Sequence, residues 1–111
     1  MPERGELLLI PFPFSDLSAS KRRPVLALTT ADRFGDFIAL PVTSRMQISH
    51  ALVIAPNDLI HGSLPATSWI RTNRIVTLNV TLVIKAIARV SENLVAAAAR
   101  RVCEYISSPD A

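Results

Sequence analysis

Ser91-Glu92-Asn93-Leu94-Val95-Ala96-Ala97-Ala98-Ala99-Arg100-Arg101-Val102-Cys103-Glu104-Tyr105-Ile106 reads as the one long helix of this chain. Ser91 is placed to cap it, its hydroxyl accepting an orphan amide of the first turn, and Glu92 suits the positive end of the helix dipole. Leu94, Val95, Ala98, Val102, Tyr105 and Ile106 recur at helical spacing on one face, and Pro109 lies just beyond the end. An apolar face of this kind must be buried against something. Everything before it is strand-like, so the pattern predicts a mainly β (α+β) architecture: a small barrel or sandwich with one helix packed on it.

Working back along the chain, residues 83–90 are aliphatic with Lys85 and Arg89 interspersed, and residues 68–78 alternate loosely; both read as strands. Residues 56–65 hold Asn57-Asp58, Gly62 and two prolines, the composition of a long surface loop. Residues 51–55 make a short strand. Residues 24–30 and 37–43 are aliphatic and β-branched runs around a Gly35-Asp36 turn, which predicts a hairpin. Residues 7–14 form an apolar run broken by Pro11 and Pro13, expected to leave the sheet or lie at its edge because proline donates no ladder hydrogen bond, and residues 15–21 are a polar loop. The expected total is five or six short strands.

With 111 residues, the chain is expected to form one domain spanning residues 1–111. Half its residues are hydrophobic and 19% charged, which excludes a disordered chain. A single cysteine, Cys103, excludes a disulfide scaffold and suggests a reducing, cytoplasmic setting. The apolar run near the N-terminus is far shorter than the roughly 20 residues of a membrane span, so no membrane association is expected. Three glycines and two histidines, with no phosphate-binding loop and no paired metal-ligand spacing, lead us to expect no cofactor and no metal site.

The formal net charge is +3, but the charges are unevenly placed. Between Phe37 and Ser91 one acid, Asp58, faces five cations: Arg45, Arg71, Arg74, Lys85 and Arg89. Ten of the twelve cations are arginine, whose planar fork suits phosphate. Such a stretch is either solvated surface or a contact for a phosphate-bearing partner.

Two strand ends concentrate the relevant chemistry. Lys21-Arg22-Arg23-Pro24 places three cations where a loop enters a strand, and the proline biases Arg23 toward an extended conformation. Thr43-Ser44-Arg45 puts two hydroxyls and a guanidinium at the end of another strand. A phosphate held for cleavage needs such donors, although Ser and Thr also favour strand ends for local hydrogen bonding. His50 and His61 read as exposed or structural residues, Cys103 as a small buried hydrophobe beside the helix stripe, and Trp69 as a core or interface anchor ahead of a platform for base stacking.

At these residues the chain resembles the MazF/PemK family of toxin endoribonucleases. The matching elements, in order, are Arg4-Gly5-Glu6, Pro11-Phe12-Pro13-Phe14-Ser15-Asp16-Leu17, Lys21-Arg22-Arg23-Pro24-Val25-Leu26, Val42-Thr43-Ser44 and Ser68-Trp69-Ile70-Arg71-Thr72-Asn73-Arg74-Ile75-Val76-Thr77-Leu78. The resemblance implies an SH3-like β-barrel with a C-terminal helix, a cytoplasmic homodimer, a cognate antitoxin, and metal-independent cleavage of single-stranded RNA to 2′,3′-cyclic phosphate and 5′-OH ends. It maps the family's catalytic arginine and threonine onto Arg23 and Thr43, and RNA contacts onto Arg22, Ser44, Arg45, Ser68, Arg71 and Arg74. For a general base, the preceding loop offers Asp16, or Ser18 and Ser20 nearer the arginine. Relatives carry a basic residue at Val76 and glycine at Ala88, two departures in this chain. The alternatives are a CcdB-like gyrase poison of the same fold and a relative that binds RNA or antitoxin without cutting.

Overall fold

The structure, a computed structural model, describes residues 2–12 and 21–108. Its strands are β1 (Glu6–Phe12), β2 (Lys21–Ala27), β3 (Asp36–Thr43), β4 (Ala51–Ile54), β5 (Leu59–Gly62), β6 (Ser68–Arg71), β7 (Val76–Asn79) and β8 (Lys85–Val90), followed by the helix α1 (Glu92–Ser107). They form one curled antiparallel sheet in the order β4-β6-β3-β2-β1-β8-β5, with β7 also paired to β3. The mainly β architecture with a closing helix is as expected, but the described residues form eight strands where five or six were expected.

Strand alternation gives the sheet two apolar faces. Leu7 of β1 is registered with Leu26 of β2, and both join a cluster with Leu40, Val42, Ile70, Val90 and the helix residues Leu94, Val95, Ala98 and Val102. Their neighbours Leu8 and Val25, also registered with each other, point the other way into a second cluster with Ile10, Ala27, Phe37, Ala39 and Leu78. The helix starts where expected, with the Ser91 hydroxyl accepting the Leu94 amide at 3.2 Å. Its apolar face is fully buried only as far as Val102; Tyr105 is half-buried and Ile106 is 68% exposed. Cys103 is exposed rather than buried, because one helical step of about 100° carries it off the stripe after Val102.

The β2–β3 hairpin forms as anticipated, with Val25, Leu26 and Ala27 registered against Pro41, Leu40 and Ala39. Asp32 organises its turn by accepting the amides of Phe34 and Asp36, and Gly35 supplies the positive φ. β2 begins earlier than expected, at Lys21, because residues 21–23 stay paired with β1. β1 itself is not an edge strand: it lies between β2 and β8. Pro11 is tolerated because the β8 ladder ends at Leu9, so that side of the strand has no partner to lose there. Pro13, the loop through Ser20 and Pro109 lie outside the described residues.

Two stretches differ from their sequence reading. Residues 56–65 contain a one-turn helix and the strand β5, because the Asp58 carboxylate closes the turn on the Ala55 amide at 2.8 Å and the next residues reach β8. Residues 68–78 are not one strand. β6 and β7 both run antiparallel to β3, but their registers differ by three residues, taken up by a turn through Thr72 and Arg74.

Ion pairs fasten the N-terminal segment. Arg4 bridges Glu92 at 2.7 Å and donates to the Leu28 carbonyl, while Arg89 bridges Glu3 at 3.0 Å and donates to the Arg4 carbonyl.

Candidate functional site

The two strand ends singled out in the sequence meet in the sheet. Val25 of β2 lies opposite Pro41 of β3, and carrying that register two residues onward sets Arg23 opposite Thr43. Thr43 is registered in turn with Trp69 of β6, and Trp69 with Val53 of β4. Directly opposed residues of antiparallel strands share a face, so Arg23, Thr43, Trp69 and Val53 form a line across four strands. With strands about 4.8 Å apart, Trp69 lies roughly 10 Å from Arg23 along the line.

The line is presented on rigid backbone. The residues that alternate with it, Val42, Ile70 and Ile54, are at most 5% exposed and belong to the cluster under the helix. On the line Arg23 is exposed, Thr43 and Trp69 are half-buried, and Val53 is 47% exposed.

Thr43 is poised as a donor. Its Oγ1 accepts the Arg45 amide at 3.1 Å, which fixes the side chain and leaves the hydroxyl hydrogen available for an anionic oxygen. The same local turn carries Ser44 and Arg45 past the end of β3, both exposed. Arg71 follows Trp69 by two residues and therefore shares its face, half-buried, while Arg74 is exposed on the turn after β6. Arg22 is exposed, but strand alternation sends it to the face opposite Arg23. Among the described residues, Arg22, Arg45, Arg71 and Arg74 form no ion pair, so their charge is not cancelled locally.

Several expectations change at this point. Ser68 is not a surface contact: it is 6% exposed on the core side of β6, and its hydroxyl donates to the Ala66 carbonyl. Arg89 belongs to the fastening of the N-terminus rather than to a free positive surface. Val76 packs against the second cluster opposite Ala39 and adds no charge to this surface. Ala88 lies opposite Gly62 of β5, and a Cβ on Gly62 would come within 2.9 Å of the Ala88 Cβ. His50 makes an edge contact with Tyr105, and His61 lies on the edge strand β5, so neither joins the line. The proposed bases Asp16, Ser18 and Ser20 lie outside the described residues.

Trp69 is the member of the line for which the sequence favours an anchor over a stacking platform. The signal was present: with Ile70 in the core, alternation turns Trp69 to the opposite face.

A model of the family described as PemK-like, MazF-like toxin of type II toxin-antitoxin system matches residues 3–106. No curated protein matches the chain in sequence. Among solved structures, an endoribonuclease in complex with its cognate antitoxin from mycobacterial species superposes with a TM-score of 0.73 at 18% identity, covering 98% of each chain. A MazE–MazF complex from Deinococcus radiodurans gives 0.75 at 19% identity, covering 96% of this chain and 95% of the other. A further mycobacterial endoribonuclease gives 0.69 at 19% identity, covering 97% and 93%. At these identities the likeness is one of fold.

Proposed function

Because this chain belongs to the PemK-like, MazF-like family of toxins of type II toxin–antitoxin systems, we propose that it is an endoribonuclease cutting single-stranded RNA at the Arg23–Thr43 line. The observation that supports this reading is the pairing of Val25 with Pro41, from which Arg23 and Thr43 both lie two residues outward on one face at one end of the sheet. The likeness of its fold to proteins described as endoribonucleases supports it.

In the proposed reaction a ribose 2′-oxygen attacks the adjacent phosphorus, the 2′-proton passes to a base, and the bond to the 5′-oxygen breaks. The products are a 2′,3′-cyclic phosphate and a 5′-OH end. Charge builds on the non-bridging oxygens as the phosphorus becomes five-coordinate. Arg23 neutralises that charge with a planar fork of donors and can pass a proton toward the leaving oxygen, while Thr43 donates its hydroxyl hydrogen to a phosphate oxygen. A guanidinium offers only donors and no acceptor atom, so Arg23 is not the base. Ser44, Arg45, Arg71 and Arg74 supply donors and positive charge for flanking phosphates, whereas Arg22 lies on the other face of β2.

The same reading makes the protein a cytoplasmic homodimer with RNA along the interface groove, and gives it an antitoxin partner. The antitoxin would lay a disordered acidic or amphipathic segment across the positive groove and fold there, as charge complementarity favours. Among the described residues, no helix is long and apolar enough to cross a membrane.

The test is incubation of the purified protein with a long unstructured RNA in EDTA, followed by mapping of 5′ ends and chemical analysis of both termini. Discrete cuts with 5′-OH and cyclic phosphate ends are expected. Intact RNA would overturn the reading, and inhibition of DNA supercoiling with RNA untouched would favour the gyrase-poison alternative.

A further inference from the structure

We propose that Trp69 forms the floor of a nucleobase subsite beside the scissile phosphate, stacking one unpaired base of the RNA and contributing to the choice of cleavage sequence. The inference rests on the RNA-cleavage reading above. It follows from three observations that do not depend on one another. Trp69 is the registered neighbour of Thr43, so an indole stands one strand away from the hydroxyl proposed to hold the reacting phosphate. It sits on a four-residue strand whose other face, Ser68 and Ile70, is buried, so the ring is held by a rigid element instead of a loop. It is flanked on the same face by Val53, 47% exposed, and by Arg71, which offers an apolar edge and a cation around the ring.

The spacing matches the chemistry. Phosphate and base of one nucleotide lie on either side of its sugar, several ångströms apart. A chain whose phosphate is held between Arg23 and Thr43 can therefore lay a neighbouring base over β6. Every base has a π face, so an aromatic platform gives affinity with modest sequence preference, and bases in single strands are free to be splayed onto it. Val53 and Arg71 would narrow that preference by contact at the ring's margin.

Trp69 is the only tryptophan in the chain, so its fluorescence reports on this position alone. The probe is an all-deoxy copy of the mapped cleavage sequence, which lacks the attacking 2′-OH and cannot be cut. On titration, Trp emission is expected to be quenched in step with binding followed by anisotropy of an end label. An abasic substitution scanned along the probe should relieve quenching at one position next to the cut.

In cleavage assays Trp69→Ala should raise KM by between about fivefold and about 150-fold, the range for removing one stacked base, with kcat changed much less. Trp69→Phe should keep most of the affinity. If Trp69→Ala does not fold, Trp69→Phe and the wild-type fluorescence still decide the matter. Binding with unchanged emission overturns the subsite, as does emission that follows dilution of the protein and ignores the probe, which would make Trp69 an anchor between subunits. Cleavage with KM and cut sites unaltered in Trp69→Ala overturns it while leaving the enzyme reading intact. If the wild type neither binds nor cuts RNA, the enzyme reading itself fails.

Discussion

Val25 of β2 and Pro41 of β3 are the last registered pair of their hairpin, and Arg23 and Thr43 each lie two residues further out on the same face. Strand geometry places their Cα atoms within about 5 Å if the register continues unaltered. One phosphate can then be held by both side chains, and neither residue should substitute for the other. Removing one donor to a developing oxyanion costs about 10²–10³ in kcat. Arg23→Ala and Thr43→Val should each lose cleavage on that scale with little change in Tm, since Arg23 is exposed and Thr43 is only half-buried. Arg23→Lys should recover a small part, because an ammonium keeps the charge but not the planar fork. Unchanged cutting in both variants, with 5′ ends mapped on a long RNA, would reject the assignment.

The cations divide into those free to meet phosphate and those already committed, and salt dependence separates them. Affinity for a single strand falls with log salt by a slope of roughly 0.7 per phosphate neutralised. Arg45→Gln, Arg71→Gln and Arg74→Gln should each weaken binding of a non-cleavable oligonucleotide and flatten that slope by about one contact's worth. Arg89→Gln should leave the slope alone, because its guanidinium is held by Glu3 and the Arg4 carbonyl. Its effect should appear in the melting temperature instead, at about 1 kcal/mol or less for an exposed pair. Equal slopes in all four variants and the wild type would remove the proposed phosphate contacts.

The contrast between Arg71 and Arg89 also shows how far the sequence can be read. Both lie in the cation-rich stretch, and only the pairing of distant segments tells them apart. Features with a local cause were legible: the Ser91 cap, the 3.6-residue stripe up to Val102 and the Gly35 turn. Features decided by long-range register were not. The three-residue offset that splits residues 68–78 arises from how β6 and β7 align with β3, and no local pattern announces it. β5 exists because β8 is there to pair with it, so its turn-rich composition pointed to a loop. Trp69 was assigned to an anchor because an isolated aromatic does not reveal which face of its strand carries the site.

Gly62 and Ala88 test the close approach of β5 to β8. A Cβ on Gly62 would come within 2.3 Å of the Ile87 carbonyl oxygen and 2.7 Å of the Ala88 Cα, both backbone atoms, at a φ of +80°. Gly62→Ala must therefore shift one strand and adopt a strained conformation, a cost on the order of 1–3 kcal/mol or more. Ala88→Gly loses only strand rigidity and a methyl group, about 1 kcal/mol. The double variant should remain close to Gly62→Ala, because the Ile87 carbonyl is still in the way. Chemical denaturation of the three variants measures this order, and a Gly62→Ala protein as stable as wild type would contradict the packing described.

Arg4 and Glu92 link the start of β1 to the first turn of the helix, and their pairing carries a pH signature. The hydrogen bond from Arg4, helped by its charge, holds the Glu92 carboxyl below its ordinary value, and Glu92 in turn raises Arg4. A carboxylate with a lowered folded pKa binds protons more readily in the unfolded chain. Its contribution is therefore complete above the usual glutamate range, near pH 4.3, and is lost as pH falls through the lower folded value. Glu92→Gln removes that contribution and part of the favourable charge at the helix N-terminus, so it should melt below wild type at neutral pH. The two melting curves should converge as the solution is acidified below about pH 4, and added salt at neutral pH should narrow the same gap, because both groups are solvent-exposed. A gap that stays constant from pH 7 to pH 3 would show that the ion pair does not fasten the N-terminal segment to the helix.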